Sequence, residues 1–221
     1  HDAAADLEAL ERAAADTERA FRDEAKKATK ARQKAAPALA AAVTQAMQQL
    51  GMAGGRFEVA LLPLEEPQSY GLENVELRVA GHAGSTPRAL AKVASGGELS
   101  RLALAIATTT AQRSATMPGT LIFDEIDSGV GGAVADSVGR LMKQLGTRAQ
   151  VLAVTHLAQV AACADHHFVV AKAAQGGKTT SSVQAVSGEA RVAEVARMLG
   201  GEKLTHTSRA HAQAMLEGGS K

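Results

Sequence analysis

The stretches most able to do chemistry are three short ones. Ser95-Gly96-Gly97-Glu98-Leu99-Ser100-Arg101 opens a segment in which Leu99, Leu102 and Ile106 fall on one helical face. Ser95 and Glu98 have the spacing of a capping box, in which hydroxyl and carboxylate satisfy the free amides of a helix start. Capping leaves Gly96 and Gly97 unexplained, because glycine in a helix costs about 1 kcal/mol relative to alanine. Glycines in a first turn let an anion approach bare backbone N–H groups at the positive end of the helix. Ser95, Gly96, Gly97 and Glu98 are therefore the expected phosphate contacts.

The second stretch is Leu121-Ile122-Phe123-Asp124-Glu125. Three consecutive apolar residues suit a strand covered on both faces, and the two carboxylates then fall at its C-terminal end, where open α/β sheets bind ligands. Adjacent carboxylates permit divided labour: one holds Mg²⁺ by its oxygens while the other polarises an attacking water. A merely polar strand end is the plain alternative. The third stretch, Val151-Leu152-Ala153-Val154-Thr155-His156, is another apolar strand with a polar end. If the two strands are parallel, His156 reaches the edge that carries Asp124 and Glu125, where an imidazole could contact a terminal phosphate.

Hydrophobic periodicity supplies the elements that must position these residues. Residues 1–50 are rich in alanine, with Leu7, Leu10, Ala14, Thr17, Phe21, Glu24 and Ala28 at the 3–4 spacing of a narrow helical seam. All acidic residues of this block precede residue 25 and Lys26, Lys27, Lys30, Arg32 and Lys34 follow, an order that complements the helix dipole. Pro37 marks a kink or a second helix start, with Leu39, Val43, Met47 and Leu50 as the stripe after it. Such a block is either an exposed helical hairpin or one arm of a longer antiparallel coiled coil. Residues 56–64 and 74–80 alternate like strands. Beyond Ser95, helices are expected at 97–112, 130–145, 157–163, 189–199 and 205–217, and strands at 119–124, 150–154, 166–172 and 179–186. The last two are joined by a turn at Gln175-Gly176-Gly177-Lys178. This alternation predicts an α/β fold, a mainly parallel sheet flanked by helices with an antiparallel hairpin at one edge.

Bulk properties narrow the function. A net charge of +1 gives no global attraction to nucleic acid, so any DNA contact needs a local patch, for which the cations of residues 26–34 are the candidate. Four Phe, one Tyr and no Trp argue against a base-stacking single-strand binder. One cysteine excludes a disulfide framework and fits a reducing compartment, and Cys163 among alanines reads as a packed thiol. No apolar run approaches the roughly 20 residues of a membrane span. His1 is not a natural start and no signal pattern follows it, so the chain is expected to be a segment of a longer one. Asp165-His166-His167 suggests a metal, but neighbouring strand residues point to opposite faces, and a structural role is expected.

With its order and spacings, 29 residues from Ser95 to Asp124 and 32 from Asp124 to His156, the constellation resembles the ABC-type ATPase heads of SMC-like, coiled-coil proteins. Ser95–Ser100 resembles their signature sequence, Leu121–Glu125 their Walker B strand and Thr155-His156 their switch-histidine loop. The resemblance covers residues 56–217, and residues 1–50 match the coiled-coil arm returning to such a head. It implies the C-terminal half of an ATP- and Mg²⁺-dependent head, residues 51–221, working in the cytoplasm near the nucleoid on DNA double-strand-break repair and recombination. Ser95 and Gly97 would then contact the γ-phosphate held by an opposite subunit of a homodimer. Asp124 would bind Mg²⁺, Glu125 would be the general base and His156 the phosphate sensor. Ala94 stands where the family usually has leucine, and Gly131 where many members carry the D-loop aspartate, for which Asp127 or Ser128 could substitute. An ABC transporter ATPase and a non-catalytic coiled-coil tether are the rival readings.

A complete site needs a P-loop, Gly-x-x-x-x-Gly-Lys-Ser/Thr. Gly177-Lys178-Thr179 imitates its end, but Lys172 stands where the first glycine belongs and the segment joins two strands. The resemblance puts the P-loop in the N-terminal half of the same head, so this chain alone is expected to be inactive.

Overall fold

The computed structural model describes residues 3–93, 95–111, 118–175, 178–200 and 205–219. Ala94, Gln112, Gly176 and Gly177, each used above, lie outside them. By internal contacts the chain forms two units, residues 1–44 with 54–93, and residues 45–53 with 94–221.

The first unit holds residues 3–44 of helix α1 (Ala3–Gln49), followed by strands β1 (Arg56–Gln68), β2 (Gly71–Ala80) and β3 (Arg88–Ala89) and a 3-10 turn at Leu90–Lys92. Alanine and helix-spaced ion pairs favour α1, among them Glu18–Arg22 at 2.8 Å and Glu24–Lys27 at 2.6 Å, each worth about 0.2–0.5 kcal/mol. The helix runs through Pro37 without a break. The second helix start and the helical hairpin are thereby replaced by a single helix. Proline removes one backbone bond, and the packed stretch after it, where Val43 is fully buried, offsets that loss. Thr44 Oγ1 accepts the Phe57 amide at 2.9 Å, which ties this stretch to the start of β1. Toward the other end Leu7 and Leu10 stay exposed.

Strands β1 and β2 pair antiparallel from Arg56↔Ala80 to Pro63↔Glu73, with a register shift before Gln68↔Gly71. Pro63 and Pro67 lack amide donors, and β1 is an edge strand of the order β1-β2-β3, where proline is tolerated. Glu73 is buried. Its carboxylate accepts from Thr29 Oγ1 at 2.6 Å and Arg32 Nη1 at 2.8 Å, and Arg32 Nη2 also donates to the Tyr70 carbonyl at 2.7 Å. These bonds hold the Glu73 carboxyl below its ordinary value, the Thr29 bond most and the Arg32 bond next, against the opposing effect of burial.

The second unit contains α2 (Gly96–Ala111), β4 (Thr120–Phe123), α3 (Gly132–Gly146), β5 (Gln150–Ala153), α4 (Ala158–Cys163), β6 (His167–Gln175), β7 (Lys178–Val186), α5 (Gly188–Gly200) and α6 (His206–Gly219). The helices and the two central strands fall within two residues of their expected limits, whereas β6 extends to Gln175. Among the described residues the parallel pairing is confined to β4 and β5, and β6 and β7 pair with each other as a separate hairpin. The fold is α/β as expected, with a smaller parallel part.

Burial explains how these helices hold together. Helix α3 turns Ala135, Val138, Met142 and Leu145 inward, and Gly139 lets α4 approach so closely that an added Cβ would lie 2.7 Å from Cys163 Sγ. Val195, Ala196 and Ala212 pack with Ala158 into a cluster shared by α4, α5 and α6. One face of β4–β5 stays open: Ile122 is 71% exposed and Val154, just past β5, 64%. The expectation of a strand covered on both faces thus fails within this chain, for the physical reason that no described layer covers that side.

Candidate functional site

Register decides what meets at the strand ends. Phe123 pairs with Ala153 in the parallel ladder, and the Val154 amide continues it by donating to the Phe123 carbonyl at 3.0 Å. Asp124-Glu125 and Thr155-His156 therefore leave the same edge, as parallel pairing requires.

After β4 the chain makes a tight turn. The Asp124 carboxylate accepts the Glu125 amide at 2.9 Å, and the Ser128 amide donates to the Glu125 carbonyl at 3.1 Å. Glu125 adopts a φ of 55°. Among the described residues it is the one non-glycine in the left-handed region, a conformation that costs about 1–3 kcal/mol and is held only where surrounding bonds over-determine it. Asp124 and Glu125 are both exposed.

The start of α2 lies directly against this turn. Ser95 Oγ accepts the Glu98 amide at 3.4 Å, the hydroxyl half of the expected capping box. Ser100 Oγ donates to the Asp124 carbonyl at 2.8 Å, and Arg101 Nη1 to the Ser128 carbonyl at 2.9 Å. Burial depresses the Arg101 guanidinium below its ordinary value, and Glu98 pulls the other way. A Cβ on Gly96 would lie 2.5 Å from Glu125 Oε2, and one on Gly97 would lie 2.9 Å from the Ser128 carbonyl. Gly97 thus has a packing reason within the chain, close approach to the Ser128 backbone, besides the anion contact expected of it, whereas the neighbour of Gly96 is the end of an exposed side chain that can turn away.

Asp127 organises the other half of the edge. Its carboxylate is buried. A single oxygen, Oδ2, accepts from Thr155 Oγ1 at 2.5 Å and from the His156 amide at 2.9 Å, and it lies 3.1 Å from His156 Nδ1. Thr155 Oγ1 in turn accepts the Leu157 amide at 3.0 Å. The His156 side chain remains 73% exposed, so its ring is anchored at one nitrogen and open at the rest.

Every expected site residue, Ser95, Gly96, Gly97, Glu98, Asp124, Glu125 and His156, falls on this α2–β4–β5 edge. Sequence reasoning gave no role to Ser100 and Arg101, and considered Asp127 only as a stand-in for a D-loop residue. Their signals are faint: a hydroxyl and a cation one turn into a helix, and a third acid after an acidic pair.

The decoys resolve as ordinary structure. Lys178 opens β7 in a hairpin and not a helix. Asp165 pairs with Lys143 Nζ at 2.7 Å, which lowers its carboxyl, while burial lowers the His167 imidazole. Among the described residues no group of three or more His, Cys, Asp or Glu is placed to hold a metal. Cys163 is buried, and desolvation pushes its thiol up. Of the cations offered for DNA contact, Lys26, Lys27 and Arg32 pair with Asp23, Glu24 and Glu73. Among the described residues no helix is long and apolar enough to cross a membrane.

No family model matches the chain. Individual relatives do. The chain is 45% identical over 190 residues to the DNA repair protein RecN of Haemophilus influenzae, which covers 86% of this chain and 34% of that protein. It is 43% identical over 201 residues to RecN of Streptomyces coelicolor, covering 86% and 35%. Among solved structures, the Smc head domain with a coiled coil and joint from Pyrococcus yayanosii superposes with a TM-score of 0.58 at 24% identity, covering 86% of this chain and 34% of that one. An Smc head domain with an extended coiled coil from Pyrococcus furiosus gives 0.53 at 22% identity, covering 81% and 42%. The fold is thus that of Smc head domains, and the chain spans about a third of the length of the curated relatives it matches. Over most of its length the chain belongs to the RecN family.

Proposed function

We propose that the chain is the C-terminal half of an SMC-like ATP-hydrolysing head that serves DNA double-strand-break repair and recombination. The reading rests above all on one observation, the convergence of Ser95–Glu98, Asp124–Glu125 and Thr155–His156 on a single strand edge. Relatives that carry the name DNA repair protein supply the biological setting. The site lacks a phosphate cradle of its own, and the P-loop comes from the N-terminal half of the same head. The open β4–β5 face, with Ile122, Leu152 and Val154 exposed, supports such a second layer, since apolar sheet faces are normally covered. Helix α1, with Leu7 and Leu10 exposed on its seam, is one strand of a coiled-coil arm.

Each side chain has a task in hydrolysis. Asp124 offers an exposed carboxylate with one oxygen engaged by the Glu125 amide. That fits Mg²⁺, which binds through one or two carboxylates together with waters and phosphate oxygens. The ion, when bound, neutralises charge on the transferring phosphoryl group. Glu125 accepts a proton from the attacking water, and His156 faces the γ-phosphate held in its own head through its free ring nitrogen, while Ser95 and the first-turn amides of α2 contact the γ-phosphate bound to a second head of a homodimer. The DNA surface and the transport of hydrolysis energy along the arm belong to the complete protein, at work in the cytoplasm on the nucleoid.

Glu125→Gln in the full-length protein tests the base. ATP binding should persist while hydrolysis falls by at least about a hundredfold, the scale of a lost general base. Unchanged turnover would remove Glu125 from the chemistry.

A further inference from the structure

We infer that Asp127 is the positioning residue of His156: it fixes the imidazole as the Nδ1–H tautomer and reserves Nε2 for the ligand. The functional side of this inference rests on the ATPase reading above, whereas its chemical side rests on geometry alone. A carboxylate can only accept hydrogen bonds. With Nδ1 at 3.1 Å from Asp127 Oδ2, the nearby carboxylate favours the proton on Nδ1, and the opposite nitrogen is then left without it in the neutral ring. The same oxygen takes the His156 amide and the Thr155 hydroxyl, so ring and backbone are held from one point. Thr155 passes the restraint on to the Leu157 amide.

The placement of Asp127 makes the arrangement rigid. Its side chain is 4% exposed while that of His156 is 73% exposed, so the anchor is buried and the anchored ring faces outward. Asp127 sits in the turn that begins at Glu125, and the Val130 amide donates to its carbonyl at 3.3 Å. Ser128, its neighbour, is gripped by Arg101 from α2. The orientation of His156 is therefore set by the same turn that carries Glu125, which couples the groups expected to act on one phosphate. Partners of this kind, which fix the tautomer of a working histidine, shape its reactivity without touching substrate.

The test is a long-range ¹H–¹⁵N spectrum of the ¹⁵N-labelled 221-residue chain at a pH where the imidazoles are neutral, with His156→Gln identifying the resonance. The expected result is the Nδ1–H tautomer for His156, lost in Asp127→Ala in favour of the Nε2–H form that free histidine prefers. A dominant Nε2–H form in the parent chain overturns the inference, as does an unchanged tautomer in a folded Asp127→Ala. Should that variant not fold, the parent spectrum decides alone. In the full-length protein Asp127→Leu should lower kcat about tenfold to a hundredfold, the scale of losing an orienting partner, with KM for ATP within about twofold. An unchanged kcat there overturns the positioning role. Total absence of ATP turnover in the unmodified protein would instead sink the ATPase reading and leave the tautomer result standing.

Discussion

At the scale of single residues, the site is governed by close approach. Gly97 stands where any side chain would run into the Ser128 backbone, and Glu125 is held at positive φ by bonds on both sides. A Gly97→Ala Cβ would meet the Ser128 carbonyl at 2.9 Å and the Ser128 Cβ at 3.0 Å, and backbone cannot rotate away as a flexible side chain can. Denaturant unfolding of Gly97→Ala should show a loss of about 1–3 kcal/mol, the usual cost of overpacking; an unaltered midpoint would mean that α2 and the turn are not in contact. The glycines illustrate what a sequence conveys about a residue. Their cost in a helix start was legible, and it demanded an explanation. The identity of the neighbour was not, because Ser128 lies 27 residues from Arg101, its hydrogen-bonding partner, and no local pattern joins them.

At the scale of elements, periodicity carried most of the information. The alternation that predicted β1 and β2 follows from which faces must be covered, and the ladders bear out those strands and the strand character of β4 and β5, whose apolar run nevertheless leaves one face open. The parallel pairing that brings His156 beside Asp127 was legible only as a condition on the topology. Two features escaped. Pro37 reads as a kink or a second helix start, and the structure has one continuous helix there, in which the packing of Val43 and the Thr44–Phe57 bond offset the cost of the proline. The link from α1 to the β-hairpin through Glu73 escaped because Glu73 falls in the loop expected before the strand at 74–80, where a charged residue reads as solvent-facing. That link has a pH signature. The Glu73 carboxyl is depressed below its ordinary 4.5 in the folded chain, so its contribution is fully present above the unfolded value and is lost as pH falls through the folded one. In Glu73→Gln, stability measured by denaturant unfolding should lose part of its dependence on pH below about 4.5. The same acid dependence in both chains would remove Glu73 from the link.

At the scale of the whole molecule, the chain brings Asp124, Glu125, His156 and the start of α2 to one strand edge, and its β4–β5 face is apolar and open. The central claim is that this constellation becomes an ATPase only when a P-loop half is added. Steady-state ATP hydrolysis should be measured for the 221-residue chain alone and after titration with the separately produced N-terminal half of the head. The account predicts no turnover by the chain, and hydrolysis that rises with the added half and saturates near equal stoichiometry. Robust hydrolysis by the chain alone, or none in the assembled head, would contradict it.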